Sequence, residues 1–164
     1  MTATSQITMC TLKRQHTAVV RGAMPAADLP GWLPGVFHAV ADHLERADAV
    51  VAGPAFACIE LRPGDDRRLG DLRTAAGFPV AEPITGDGWV RPSALPAGPA
   101  AVATHLGPCE AVETACAELD AWLAGRGLLP DGVRWEVYLT DPATEPDPAH
   151  WLSQLVVPYR PAAA

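Results

Sequence analysis

The run RWEVYLTDP, residues 134 to 142, sets a carboxylate, Glu136, and a phenol, Tyr138, two positions apart in a stretch that otherwise has the content of a buried strand. Side chains alternate along a strand, so Glu136, Tyr138 and Thr140 share one face and Trp135, Val137 and Leu139 the other. The apolar trio reads as the core face beneath a helix, which predicts that Glu136 and Tyr138 turn to the opposite face. Desolvating a carboxylate that has no partner is costly. Glu136 therefore requires water, a protein partner or a ligand.

Other residues capable of chemistry are less persuasive. His38 and His43 lie five apart on a predicted helix and point to different sides, a poor metal pair. His105 and Cys109 flank a strand-to-helix turn, HLGPC, where a thiol can have a lowered pKa, but a nucleophilic Cys109 needs a base beside it. His150 reads as a solvated side chain in the Pro-rich loop DPATEPDPAH, and Trp122 as a core residue on an apolar helix face. Trp32 and Trp89 stand in Gly- and Pro-rich loops where no regular element requires them, as binding elements or as loop anchors. Cys10, Cys58, Cys109 and Cys116 have apolar surroundings and no CxxC spacing, so neither a metal, a disulfide framework nor a cofactor is expected.

The elements that must position Glu136 repeat. ITMCTLKRQHTAVVRGAM predicts one long, bulged strand with a polar break at Lys13 to His16. Leu33, Val36, Phe37, Val40, Ala41 and Leu44 predict an amphipathic helix over Leu33 to Ala47, with Pro34 in its first turn. GPAFACIEL and a segment near Leu72 to Val80 supply two more strands. The second half follows the same order: strand PAAVATHLG, a helix over Glu110 to Arg126 capped by Gly127, strand VRWEVYLT and a closing strand WLSQLVVPY. The pattern predicts an α+β fold of tandem β-α-β-β modules with pseudo-two-fold symmetry, an antiparallel sheet with two helices, and a ligand cleft between the modules. Module one covers about 5–80, a Pro- and Gly-rich linker 81–99, and module two about 100–160, within a single domain over 1–164. In the repeat, Ala57 and Ile59 correspond to Glu136 and Tyr138, so one module offers an apolar wall where the other offers an acid and a phenol. That pairing suits a hydrophobic or cationic aromatic small molecule.

Composition narrows the class. Of 164 residues, 49% are hydrophobic and 19% charged, as in an ordinary globular chain. A formal charge of -7 argues against a nucleic-acid surface, which needs clustered Lys and Arg. No apolar run reaches membrane-spanning length and the N-terminus lacks signal-peptide character, so a cytoplasmic location is expected.

HLGPCEAVETACAELDAWLAGRGL, followed by WEVYLTDP and the terminal VVPYR, resembles the second half of the GyrI-like small-molecule-binding domain, the effector-binding domain of BmrR-type multidrug-responsive regulators. GFPV at Gly77 to Val80 and the duplicated order extend the resemblance over nearly the whole chain. It implies a cleft in which the glutamate matching Glu136 contacts cationic or polarised ligands among aromatic side chains. Some members resemble cyclopropanoid hydrolases, which open the strained ring of DNA-alkylating natural products. For that chemistry the resemblance implies Glu136 and Tyr138 as catalytic groups, Glu136 orienting or deprotonating a water. Trp32, Trp89 and Trp151 would be cage aromatics, and Trp135, on the predicted core face, is the least suited. Val156 and Ile59 stand where the family often has aromatics, which thins the cage. No DNA-binding helix-turn-helix is expected, so the chain reads as a stand-alone binder.

Overall fold

The computed structural model describes residues 3–4, 7–61, 71–107, 112–140 and 144–162. The fold is α+β, as predicted: antiparallel strands with two α-helices, divided between a unit of residues 13–97 and a unit formed by 1–12 with 98–164.

The unit of residues 13–97 is built on β3 (Gln15–Met24), which pairs with β5 (Leu72–Pro79) on one side and β6 (Arg91–Leu95) on the other; β5 pairs in turn with β4 (Phe56–Glu60). Its helix, α1 (Leu29–Arg46), buries Leu33, Val36, Val40 and Leu44, one stripe at helical spacing. The helix starts a turn earlier than its apolar spacing predicts: Pro30, not Pro34, occupies the opening positions where a missing N–H is harmless, and Pro34 lies inside. Asp48 ends it in the left-handed region at φ 55°. The Phe37 and Phe78 rings meet edge to face at 6.0 Å, and Trp32 fills the space left by Gly22. Both contacts show that α1 covers the side of the sheet bearing Ala18, Val20, Gly22, Ala76 and Phe78, because cross-strand partners share a face. Gly77 belongs to the other side, where any Cβ would overlap the Ala18 carbonyl.

In the other unit β7 (Gly98–Leu106) is flanked by β10 (Leu152–Pro161) and, along its opposite edge, by β1 (Ala3–Thr4) and β2 (Thr8–Leu12). Next to β10 lie β9 (Val133–Tyr138) and, at its far end, β8 (Leu128–Pro130). Helix α2 (Val112–Ala124) packs Ala115, Cys116, Leu119 and Leu123 against Ala101, Ala103, Leu155 and Val157. Gly127, at φ 71°, turns the chain away just beyond the helix, as expected of a cap residue.

Two expectations change. The N-terminal run is not one bulged strand: β2 pairs with β7, β3 pairs with β5 and β6, and Lys13 and Arg14 stand between them. The Pro- and Gly-rich linker 81–99 carries a strand of its own, β6, and its last two residues begin β7.

Candidate functional site

Strand pairing decides where Glu136 points. Glu136 lies opposite Leu155, which lies opposite Ala103, and both of those belong to the core beneath α2. Tyr138 lies opposite Ser153, and Ser153 opposite His105. Arg134, which shares the parity of Glu136, meets Asp120 of α2 at 3.8 Å. Glu136 and Tyr138 thus face the side that carries the helix, and the predicted assignment is reversed. Trp135 is the reason: it is only 5% exposed, as a core residue would be, but it lies opposite Val156 on the side away from α2. Both sides of this sheet hold buried residues, so apolar size alone does not identify the helix side. Ala57 and Ile59, opposite Ala76 and Thr74, also face their own helix side, so the correspondence between the two strands survives with its direction changed.

Helix α2 lies chiefly over β7 and β8, whereas β9 is on the far side of β10. The middle of β9 is therefore on the helix side without being wholly covered, and Glu136 is half-buried. The Tyr138 hydroxyl donates to Glu136 Oε2 at 3.3 Å, and the Ser153 hydroxyl makes a second bond to the carboxylate. Burial pushes the Glu136 carboxyl up to about 7, against the smaller opposing pull of Ser153 and then Tyr138. Among the described residues, none of the ion pairs involves Glu136. A poised carboxylate held by two hydroxyls can attract a cation, accept a hydrogen bond, or take a proton near neutral pH.

The remaining predicted residues fall into distinct settings. Trp32 is in the first turn of α1 rather than in a loop, its indole over Gly22. Ala57 is buried and Ile59 half-buried on β4. Trp89 is 57% exposed on a tightly tied turn. Asp87 Oδ1 accepts the Trp89 and Val90 N–H groups at 2.9 and 2.7 Å. Those bonds, Val90's above all, hold the Asp87 carboxyl below its usual value. His43 secures the same turn, with Nε2 3.1 Å from the Thr85 carbonyl and Nδ1 3.4 Å from Asp87. Trp151 is a loop anchor: its Nε1 donates to the Glu145 carbonyl at 2.8 Å, while its carbonyl accepts Gly107 N–H at 2.8 Å. His150 is largely exposed beside Glu145 and Asp147. Trp122 packs against the core with the Arg126 guanidinium 3.7 Å from its ring centre. Cys109 lies outside the described residues.

A family model for the GyrI-like small molecule binding domain matches residues 5–160. The chain belongs to this family. No curated protein sequence matches it. Among solved structures, the EcmrR C-terminal domain shares its fold at a TM-score of 0.79 and 17% identity, over 96% of this chain and 98% of that one. A hydrolase from Listeria innocua matches at 0.65 and 16%, over 94% and 92% of the two chains. A protein solved bound to tetraphenylphosphonium matches at 0.58 and 11%, over 95% and 94%. At these identities the likeness establishes the fold. As a GyrI-like domain, the chain has a small molecule as its partner, and none of its described helices is long and apolar enough to cross a membrane.

Sequence reasoning about this GyrI-like domain missed Ser153, Arg134 and Asp120. Their importance depends on which residues stand opposite one another and what α2 brings to β9, and neither can be read from spacing within one strand.

Proposed function

We propose that this GyrI-like domain binds hydrophobic aromatic or cationic small molecules, with the Glu136 carboxylate as the polar contact and Tyr138 beside it. The observation that carries the reading is a half-buried carboxylate on the helix side of β9, fixed by two hydroxyls and without an ion-pair partner among the described residues. Trp32, Trp89, Trp151, Ala57 and Ile59 are proposed apolar contacts, to be tested one residue at a time. Titration of tetraphenylphosphonium into wild type and Glu136→Gln, followed by tryptophan fluorescence, tests the central claim. Loss of the charge should weaken binding about tenfold to a hundredfold, given the cost of breaking a partly buried charge contact. Equal affinities would overturn the role of Glu136.

A second reading is favoured by the position of the Glu136 carboxyl near 7, where a carboxylate serves well as a general base. In this reading the domain hydrolyses a cyclopropane-bearing alkylator: Glu136 takes a proton from water as its oxygen bonds to the ring carbon, and the ring electrons pass into the conjugated carbonyl, which takes up a proton. Incubation with a spirocyclopropyl alkylator and mass spectrometry decides it. A water adduct that forms no faster than without protein excludes catalysis.

A further inference from the structure

Arg134 shares the helix side of β9 with Glu136 and precedes it by two residues, a separation of roughly 7 Å along a strand. Its side chain is 4% exposed, and Nε, Nη1 and Nη2 all lack a hydrogen-bond acceptor among the described residues. The charged neighbour is Asp120 of α2, whose Oδ2 stands 3.8 Å from Nη2, beyond hydrogen-bonding distance. A guanidinium has five N–H donors and does not shed its proton, so a buried one without acceptors is unfavourable. A purely structural Arg–Asp pair in this setting would close to hydrogen-bonded, often bidentate, contact. The Asp120 side chain is 35% exposed although its Oδ1 is buried, so a side-chain rotation toward solvent would uncover the guanidinium.

We infer that Arg134 is a second polar anchor, which takes the carboxylate of an amphoteric aromatic ligand while Glu136 meets that ligand's cationic end, Asp120 serving as the internal stand-in for the ligand's acid group. The inference rests on the proposed role of Glu136 and extends it from cations to molecules carrying an acid and a cation on one flat body. A carboxylate matches the planar fork of the guanidinium with two parallel bonds, which a monopolar cation cannot make.

The test uses the full chain and two dyes differing in one group: a rhodamine with a free benzoate, and the methyl ester of the same dye, titrated by fluorescence anisotropy. Wild type should bind the acid at least tenfold more tightly than the ester. Arg134→Met should remove that preference and leave ester binding intact, whereas Asp120→Asn, which removes the competing carboxylate and preserves the fold more safely, should enlarge it severalfold. Equal affinity for acid and ester in both wild type and Asp120→Asn would show an ordinary structural pair and overturn the inference. The role of Glu136 is read separately, from the ester: ester affinity unchanged in Glu136→Gln removes that reading, while the acid-to-ester ratio still reports on Arg134. Failure of both dyes to bind would overturn the two together.

Discussion

Strands β4 and β9 occupy equivalent places in the two units, and burial acts on an acidic group in each with opposite consequences. In β9 it raises the Glu136 carboxyl to about 7, into the range where the group changes charge under ordinary conditions. In β4 it raises the Cys58 thiol, helped by the Glu60 charge, to about 12, where the thiol stays neutral and inert. The physical cause is the same, since burial disfavours the charged form of any acid. What differs is the starting value and the side: Glu136 faces the helix side with two hydroxyls, whereas Cys58, opposite Ala75, alternates with the helix-side residues Ala57 and Ile59. Similar strands thus yield one poised group and one silent group, and alkylation should show it: iodoacetamide at pH 8 modifies exposed Cys10 and spares Cys58 in the folded chain, by peptide mapping.

The largest break in this comparison comes from moving the charge. Ala57→Glu places a carboxylate at a site 2% exposed, opposite Ala76, where Thr74 stands in the place of Ser153 but Ile59 replaces the Tyr138 phenol. It should destabilise the fold by about 3 kcal/mol or more in chemical denaturation, as expected for burying an unpaired charge. A loss below about 1 kcal/mol would mean that the Tyr138 hydroxyl and the lesser burial of Glu136 are not what makes a carboxylate tolerable in β9.

Next in size is the pH dependence of Glu136 itself. Its folded pKa, about 7, lies above the ordinary 4.5, so the folded state binds the proton more tightly than the unfolded chain does. Stability from this group is full below pH 4.5 and is lost as pH rises toward and through 7. The loss is on the order of 2 kcal/mol after discounting for the residue's partial exposure. Glu136→Gln should abolish that slope and be more stable than wild type above pH 8, while the proposed cation binding should weaken. Such opposition between stability and binding marks a functional position. A wild-type stability curve that is flat between pH 5 and 8 would show that the carboxyl is not poised.

The comparison also shows how far the sequence could be read. Apolar spacing and turn residues were enough for the repeated order and for the correspondence of Ala57 and Ile59 with Glu136 and Tyr138. The side of the sheet was not legible, because Trp135 on one side and Leu155 on the other are both nearly fully buried. Only the register of β9 against β10 separates them. The helix breakers in LPGWLPG point Trp32 to a loop, but burial of Leu33, Val36, Val40 and Leu44 outweighs the local cost of Gly31 and Gly35. RPSAL has no alternation to mark β6 as a strand, and an outer strand beside β3 tolerates Pro92.

The smallest effects separate the two hydroxyls. Ser153 and Tyr138 both favour the ionised form of Glu136, Ser153 the more strongly. Removing either donor should raise the Glu136 pKa further and move the stability transition to higher pH, by less than about one unit, since a hydrogen bond to a charged group contributes about 1 kcal/mol here. Ser153→Ala should therefore shift the midpoint more than Tyr138→Phe. A carboxyl-resolved NMR titration distinguishes them. The reverse order would assign the carboxylate's position to its neighbour on the same strand. The predicted order assigns it to the pairing of β9 with β10, which β4 matches with Thr74 opposite Ile59 but without a carboxylate for that hydroxyl to meet.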